Sequence, residues 1–252
     1  AIGARTTESQ SHRELASGLS CPVGFKNGTD GSLQIAIDAM NAARHSHSFL
    51  SVTKEGKSAI FNTAGNDDCH IIHRGGNNKS NFGSEDVKNS VRILEQNGMK
   101  PNIMIDASHA NSNKDFKMQS KVVDDVKRQL LSGEKNLIGI MLESNLVEGN
   151  QKINSRDKLK YGQSITDSCI GWEETENIIS LNPPASLLEI FITSIFHFFL
   201  EQTFSYILNK SEQNRVASRP PVPARISTIA FFLSSKSLGN KNILSLFSLS
   251  SC

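Results

Sequence analysis

Residues 70–107 read HIIHRGGNNKSNFGSEDVKNSVRILEQNGMKPNIMIDA, and this stretch decides the fold. Two short apolar runs, His70–Arg74 and Asn102–Ala107, bracket a helical pattern at Ser84–Asn97. Apolar runs with little polar alternation suit strands covered on both faces. Ser84 reads as the helix cap and Gly98 as its stop. A strand, a helix and another strand in that order predict a parallel pairing, because the crossover returns the chain to the starting edge. The rhythm continues in both directions. Strands are expected at Ala1–Ala4, Pro22–Lys26, Ser48–Thr53 and Leu137–Glu143, and helices at Glu8–Leu19, Leu33–Arg44, Phe116–Leu131 and Glu173–Leu181. Lys54-Glu55-Gly56 and Ala64-Gly65-Asn66 read as turns of a hairpin inserted between Val52 and Cys69.

Ionisable residues recur at one place in these units. Arg5 follows the first strand, Lys26 ends the second, Arg74 ends HIIHR, His109 follows MIDAS and Glu143 ends LIGIMLE. Asp167 sits in the last loop. In a (β/α)₈ barrel the carboxyl ends of the strands converge on one mouth, where catalytic groups stand. The expected fold is therefore α/β, of the (β/α)₈ barrel type. Arg5, Lys26 and Arg74 form one set, three cations with no obvious carboxylate to neutralise them, suited to a substrate bearing several negative charges. His109, Glu143 and Asp167 form the other, a mixed N/O donor set suited to Mn, Fe, Co or Zn in an open catalytic site. His70 and His73 do not make a metal pair, since residues three apart on a strand point to opposite faces. His45 and His47 read as loop residues. Together the two sets describe an enzyme joining a phosphorylated acid to an aldehyde.

The chain has 252 residues, with 27 Lys+Arg against 25 Asp+Glu and a formal net charge of +2. That balance excludes a generic polyanion binder, so no nucleic-acid partner is expected. Four cysteines without a CxxC pair indicate neither a zinc knuckle nor a disulfide framework, and a reducing, cytoplasmic setting is expected. Ala1 is not followed by a signal-peptide pattern. Composition changes near residue 180: residues 181–252 hold eight of the 13 phenylalanines and one of the 17 glycines. This Ser/Phe/Leu-rich segment reads as an irregular tail, disordered or mistranslated. Leu187–Leu208 within it is long enough to span a membrane, but Glu189, His197 and Glu201 argue against a span, since each charge at that depth costs roughly 3 kcal/mol.

Five motifs carry a resemblance: IGARTTESQ (2–10), PVGFKNGTDG (22–31), IDASHAN (105–111), ESNLVEGNQ (143–151) and YGQSITDSCIGW (161–172). Residues 1–180 resemble the microbial type I 3-deoxy-D-arabino-heptulosonate-7-phosphate (DAHP) synthases of the phenylalanine/tyrosine-regulated branch. The resemblance implies a (β/α)₈ barrel, of which this chain supplies about five C-terminal βα units. It implies the condensation of phosphoenolpyruvate with erythrose 4-phosphate to DAHP and phosphate, the first step of the shikimate pathway. Arg5 and Arg74 would hold the phosphate of phosphoenolpyruvate with the backbone of Ala4. Lys26 would bind near its carboxylate. Lys26 and His109 are the catalytic pair so implied, and His109, Glu143 and Asp167 match three metal ligands. Leu15, Leu19, Ser20, Phe49 and Ser51 fall where the family forms an aromatic amino acid pocket, with Ser51 leaning toward phenylalanine over tyrosine. A homo-oligomer is implied as well. The family's fourth metal ligand, a cysteine on its first strand, has no match in Cys21, Cys69 or Cys169. The expectation is a C-terminal fragment that does not turn over alone; the alternative is a non-catalytic remnant or partner of full-length subunits.

Overall fold

The computed structural model describes residues 1–77, 79–153, 155–180, 189–194, 232–234 and 245–247. Its first half runs α1 (Gln10–Ser17), β1 (Val23–Lys26), α2 (Gln34–Ala43), β2 (Ser48–Val52), β3 (Ser58–Asn62), β4 (Cys69–His73), α3 (Ser84–Gln96) and β5 (Ile103–Asp106). There follow α4 (Gln119–Leu131), β6 (Leu137–Ser144), β7 (Val147–Asn150), β8 (Gln163–Ser164), α5 (Trp172–Ser180), β9 (Glu189–Ser194), β10 (Phe232–Ser234) and β11 (Ser245–Phe247). Five strands form one sheet in the order β1-β4-β5-β6-β9, and every pairing is parallel. The α/β class with a parallel sheet, expected from the strand–helix rhythm, is thus observed.

The two faces of the sheet are packed differently. On one, Phe25, Ile71, Ile103, Ile105, Ile140 and Leu142 meet Ala36, Ile37, Met40, Val87, Leu94, Val122 and Val126 in a single buried core. This explains the amphipathic pattern of α3, whose Val87, Ser90 and Leu94 point inward at helical spacing. On the other face Ile72, Met104 and Met141 form a smaller cluster. Both β4 and β5 are buried at every residue, as their apolar runs require. Gly24 has no side chain for a reason: a Cβ there would overlap Ile72 and His70 of the neighbouring strand.

Four local expectations are corrected. Ala1–Ala4 is not a strand. Ile2 makes one bridge to Phe25, and the chain then turns at Gly3, whose carbonyl accepts from the Thr6 and Thr7 amides and hydroxyls. Ser84 is the first helical residue of α3, not its cap; Gly83 caps it in extended conformation, while Asp86 and Glu85 supply the acidic first turn. Gly98 does stop the helix, at φ 65°. The helical pattern at Phe116 begins as a short 3₁₀ turn, Phe116–Met118, capped by the Asp115 carboxylate, before α4. The segment read as an irregular tail contains three strands, and β9 pairs with β6 from Gly139 to Ser144. The rest of Leu187–Leu208, and Cys252, lie outside the described residues. Among the described residues no helix is long and apolar enough to cross a membrane.

The inserted hairpin forms as expected, with β2 and β3 antiparallel. It is fixed to the end of α1 through Ser17 Oγ and Thr63 Oγ1, 2.7 Å apart, and through the Gly65 amide, which donates to the Ser17 carbonyl at 3.1 Å. Cys21, Cys69 and Cys169 are free thiols.

Candidate active site

The carboxyl ends of the strands carry the chemistry. Lys26 is the last residue of β1, Arg74 follows β4, Asp106 ends β5 and Glu143 is next to last in β6. A cavity of about 430 Å³ opens at this end of the sheet. Gly3, Ala4, Arg5, Lys26, Arg74, His109, Glu143 and Asp167 line it, so every residue expected to bind substrate or metal is there. Thr29, Ser108, Lys114 and Ser168 also line it and were missed by the sequence reading.

Each group is held by the backbone around it. Thr7 Oγ1 lies 3.0 Å from the carbonyls of both Gly3 and Lys26, which fixes the Gly3–Thr7 turn, and with it Arg5, against β1. Arg74 is placed by asparagines. Asn27 Oδ1 accepts from the Arg74 amide at 2.8 Å, Asn81 Oδ1 accepts from the Gly75 amide at 2.7 Å, and the Asn81 amide donates to Asn111 Oδ1 at 2.9 Å. Asn111 Nδ2 in turn donates to the carbonyls of His73 and Asp106. Three amide side chains therefore knit the ends of β1, β4 and β5. Asn27 and Asn111 stand inside the long motifs, just past β1 and β5, while Asn81 lies outside them and carried no such signal. Gln119, at the start of α4, clamps Glu143 by donating to its carbonyl and accepting from its amide, at 3.1 and 2.9 Å.

His109, Glu143 and Asp167 each offer a ligand atom within 4.8 Å of the others. His109 Nε2 lies 3.6 Å from Glu143 Oε1, while the Ser108 hydroxyl donates to Glu143 Oε2 at 2.7 Å and leaves Oε1 toward the imidazole. This donor chemistry, one imidazole and two carboxylates with converging atoms, fits a divalent metal ion. Burial pushes the Glu143 carboxyl up, and the charges of Asp106 and Asp167 add to that, against the pull of His109 and Ser108. A cation bound here relieves that repulsion. His109 sits at φ 55°, and Asn113 and Lys114 at 53° and 60°, so the loop after β5 is strained where it meets the cavity.

One expectation about the cations is wrong. Lys26 is not free of a carboxylate: its Nζ donates to Asp106 Oδ2 at 2.7 Å. Asp106 reads in the sequence as the polar end of a strand, and only parallel pairing of β1, β4 and β5 brings it beside Lys26. Burial opposes its ionisation, but Lys26 and His109 outweigh that and hold its carboxyl well below the usual range. Among the described residues, no carboxylate lies within ion-pair distance of Arg5 or Arg74. The histidine pair behaves as expected: His70 shares a face with Ile72, and His73, buried on the other, engages the Asn81 carbonyl at 2.7 Å.

The remaining expected positions lie outside the lining of this cavity. Leu15 and Leu19 are 59% and 37% exposed at the end of α1, with Ser20 just beyond. Phe49 and Ser51 share the half-buried face of β2, and Phe49 stacks on Phe61 with ring centroids 6.4 Å apart. The Ser17–Thr63 contact joins the two elements that carry these groups.

Residues 1–180 match the DAHP synthetase I family. The chain belongs to that family. Among its relatives, the Phe-sensitive phospho-2-dehydro-3-deoxyheptonate aldolase of Escherichia coli (strain K12) is 60% identical over 179 residues, covering 71% of this chain and 51% of that protein. The phenylalanine-inhibited enzyme of Saccharomyces cerevisiae is 59% identical over 188 residues, covering 72% and 51%. The solved structure of the phospho-2-dehydro-3-deoxyheptonate aldolase from Francisella tularensis SCHU S4 superposes with a TM-score of 0.67 at 49% identity, covering 71% of this chain and 52% of that one. The chain thus spans about half the length of the curated relatives it matches.

Proposed function

We propose that this chain carries the phosphate-binding and metal-binding half of a DAHP synthase centre, in which phosphoenolpyruvate condenses with erythrose 4-phosphate to give DAHP and phosphate. The cavity that gathers Arg5, Lys26, Arg74 and Lys114 beside the His109, Glu143 and Asp167 donor set carries this reading. We propose further that the parallel sheet is an arc of a (β/α)₈ barrel, which places this cavity at the barrel mouth.

Arg5 and Arg74, with no carboxylate partner among the described residues, grip the phosphate of phosphoenolpyruvate, and the backbone of Ala4 approaches it from the turn at Gly3. Lys26, anchored by Asp106, turns its remaining ammonium hydrogens toward the carboxylate. With both ends of the molecule held, the enol carbon is left to face the aldehyde of erythrose 4-phosphate, and positioning of this kind accounts for much of the acceleration in two-substrate reactions. His109 Nε2, Glu143 and Asp167 would hold a divalent metal such as Mn, Fe, Co or Zn, which supplies Lewis-acid polarisation of the aldehyde oxygen. The enol carbon bonds to the aldehyde carbon, whose oxygen takes up a proton; water adds to the carbon bearing the phosphate and gives up its protons, and the C–O bond to phosphate breaks to leave a ketone and free phosphate.

Leu15, Leu19, Ser20, Phe49 and Ser51 are proposed to form part of a feedback site for phenylalanine, to which one relative above is named sensitive and by which the other is named inhibited.

Binding to the purified chain tests the assignment. Mn²⁺, followed by electron paramagnetic resonance, is expected to bind at one site and to lose that site in His109→Gln and Asp167→Asn. Phosphoenolpyruvate, followed calorimetrically, is expected to be lost in Arg5→Ala and Arg74→Ala while Mn²⁺ binding survives. Unchanged binding in these four variants would overturn the assignment. The purified chain, which spans about half the length of its relatives, is expected to release no phosphate from the two substrates and metal; release that needs both substrates and metal would show that this half turns over alone.

A further inference from the structure

Asp106 belongs to neither set of groups expected to bind substrate or metal, yet it touches both. Its side chain is fully buried. Oδ1 accepts from the Ser108 amide at 2.9 Å, and Oδ2 lies 2.7 Å from Lys26 Nζ and 2.8 Å from His109 Nδ1. The approach to His109 is bent away from the line of an ideal N–H bond, but among the described residues no other acceptor reaches this buried nitrogen. Two facts follow from the chemistry of the groups. An ionised carboxylate only accepts, so a bare Nδ1 lone pair facing it at this distance would be repelled. An Nδ1 that carries the proton leaves Nε2 as the lone-pair atom, and Nε2 is the nitrogen turned toward Glu143.

We propose that Asp106 is a positioning residue that fixes the ring orientation and tautomer of His109, so that the Nε2 lone pair points at the space shared with Glu143 and Asp167. The carboxylate can do this because it cannot turn: the Ser108 amide holds one oxygen and the Lys26 ammonium the other. Partners behind a metal-binding imidazole commonly act this way, and their loss weakens metal affinity about 10–100-fold. The proposal rests on the metal site assigned above.

Asp106→Asn is the informative change. An amide keeps the shape but has one accepting oxygen where three donors converge, so its NH₂ must face either the Ser108 amide or the Lys26 and His109 pair. Spectra of the full chain, ¹⁵N-labelled at histidine and free of metal at pH 8, read the tautomer directly; loss of one signal in His109→Gln assigns it. The expected result is the Nδ1–H form in the unaltered chain and a mixture in Asp106→Asn. The Mn²⁺ dissociation constant should rise about 10–100-fold in Asp106→Asn. Phosphoenolpyruvate affinity measured without metal should fall by less than the Mn²⁺ affinity, because the looser anchor of Lys26 is offset by the loss of a negative charge from the cation cluster. General loosening of the site would weaken both ligands equally, and that result counts against the proposal. An Nε2–H tautomer in the unaltered chain overturns it whether or not Asp106→Asn folds, as does an Asp106→Asn chain whose tautomer and Mn²⁺ affinity are unchanged. If the unaltered chain binds no Mn²⁺, the metal assignment falls, while the tautomer still decides what Asp106 does.

Discussion

Asn27 is one residue past the end of β1 and fully buried, and it makes more contacts to the loop after β4 than to its own. Its Nδ2 donates to the carbonyls of Gly28 and Gly75, and its Oδ1 accepts from the Arg74 amide and from Asn81 Nδ2. Asn27→Ala strands the Arg74 amide and two carbonyls in the interior, where each unpaired group costs about 1–3 kcal/mol. A loss of roughly 2–4 kcal/mol in urea-unfolding stability is expected, with weaker phosphoenolpyruvate binding because Arg74 loses its register. Stability within 0.5 kcal/mol of the unaltered chain, at about the noise of a neutral surface change, would contradict this account. Lys26 teaches the same lesson about single residues: in the sequence it is a free cation, and in the fold it is half of a buried pair.

At the level of elements, the loops after β1 and β4 meet backbone to backbone. A Cβ at Gly76 would overlap the main chain of Gly31 and Asp30, and no flexible side-chain end is available there to move aside. Gly76→Ala should therefore force the two loops apart. The expected cost is about 1–3 kcal/mol, with phosphoenolpyruvate affinity falling more than Mn²⁺ affinity, because Arg74 lies in the displaced loop while His109 and Glu143 sit on other elements. Equal losses for both ligands would show that the loops are not independent. Elements were legible in proportion to how local their causes are. Ser84–Gln96 is read from apolar spacing and a glycine stop, both contained in the segment itself. Ala1–Ala4 looked like a strand because it is short and apolar, but whether it pairs beyond Ile2 depends on the turn at Gly3, which Thr7 ties to the Lys26 carbonyl of β1, 19 positions along the chain.

Across the whole molecule, two buried histidines set the response to acid. Burial lowers His70 to about 3 and His73 to about 4, so both stay neutral in the fold. The unfolded chain protonates them below about pH 6.5, and each then favours unfolding by about 1.4 kcal/mol per pH unit. Stability is therefore fully present above pH 6.5 and falls from there toward pH 4. Urea-unfolding midpoints measured at pH 7, 6 and 5 should drop progressively, and His73→Phe should halve the slope while lowering the plateau. A flat profile between pH 7 and 5 would mean that these imidazoles are not buried neutral. The sheet also extends further along the chain than composition suggested. Glu189–Ser194 continues it beyond β6, although the residues around that strand read as a segment without periodicity.

The sequence by itself determined the local elements, the parallel α/β class and the residue types of the site, because those depend on spacing within short windows and on motifs long enough to carry a family resemblance. Lys26, Arg74, His109 and Glu143 were identifiable from their places at or after strands, and they line one cavity with Arg5 and Asp167. Only the tertiary structure decided what lies between them. Asp106 beneath Lys26, and the asparagines that tie three strand ends together, act across 30 to 80 positions of chain. No local pattern records such contacts, because a buried polar group is satisfied by whatever the packing of the sheet brings beside it.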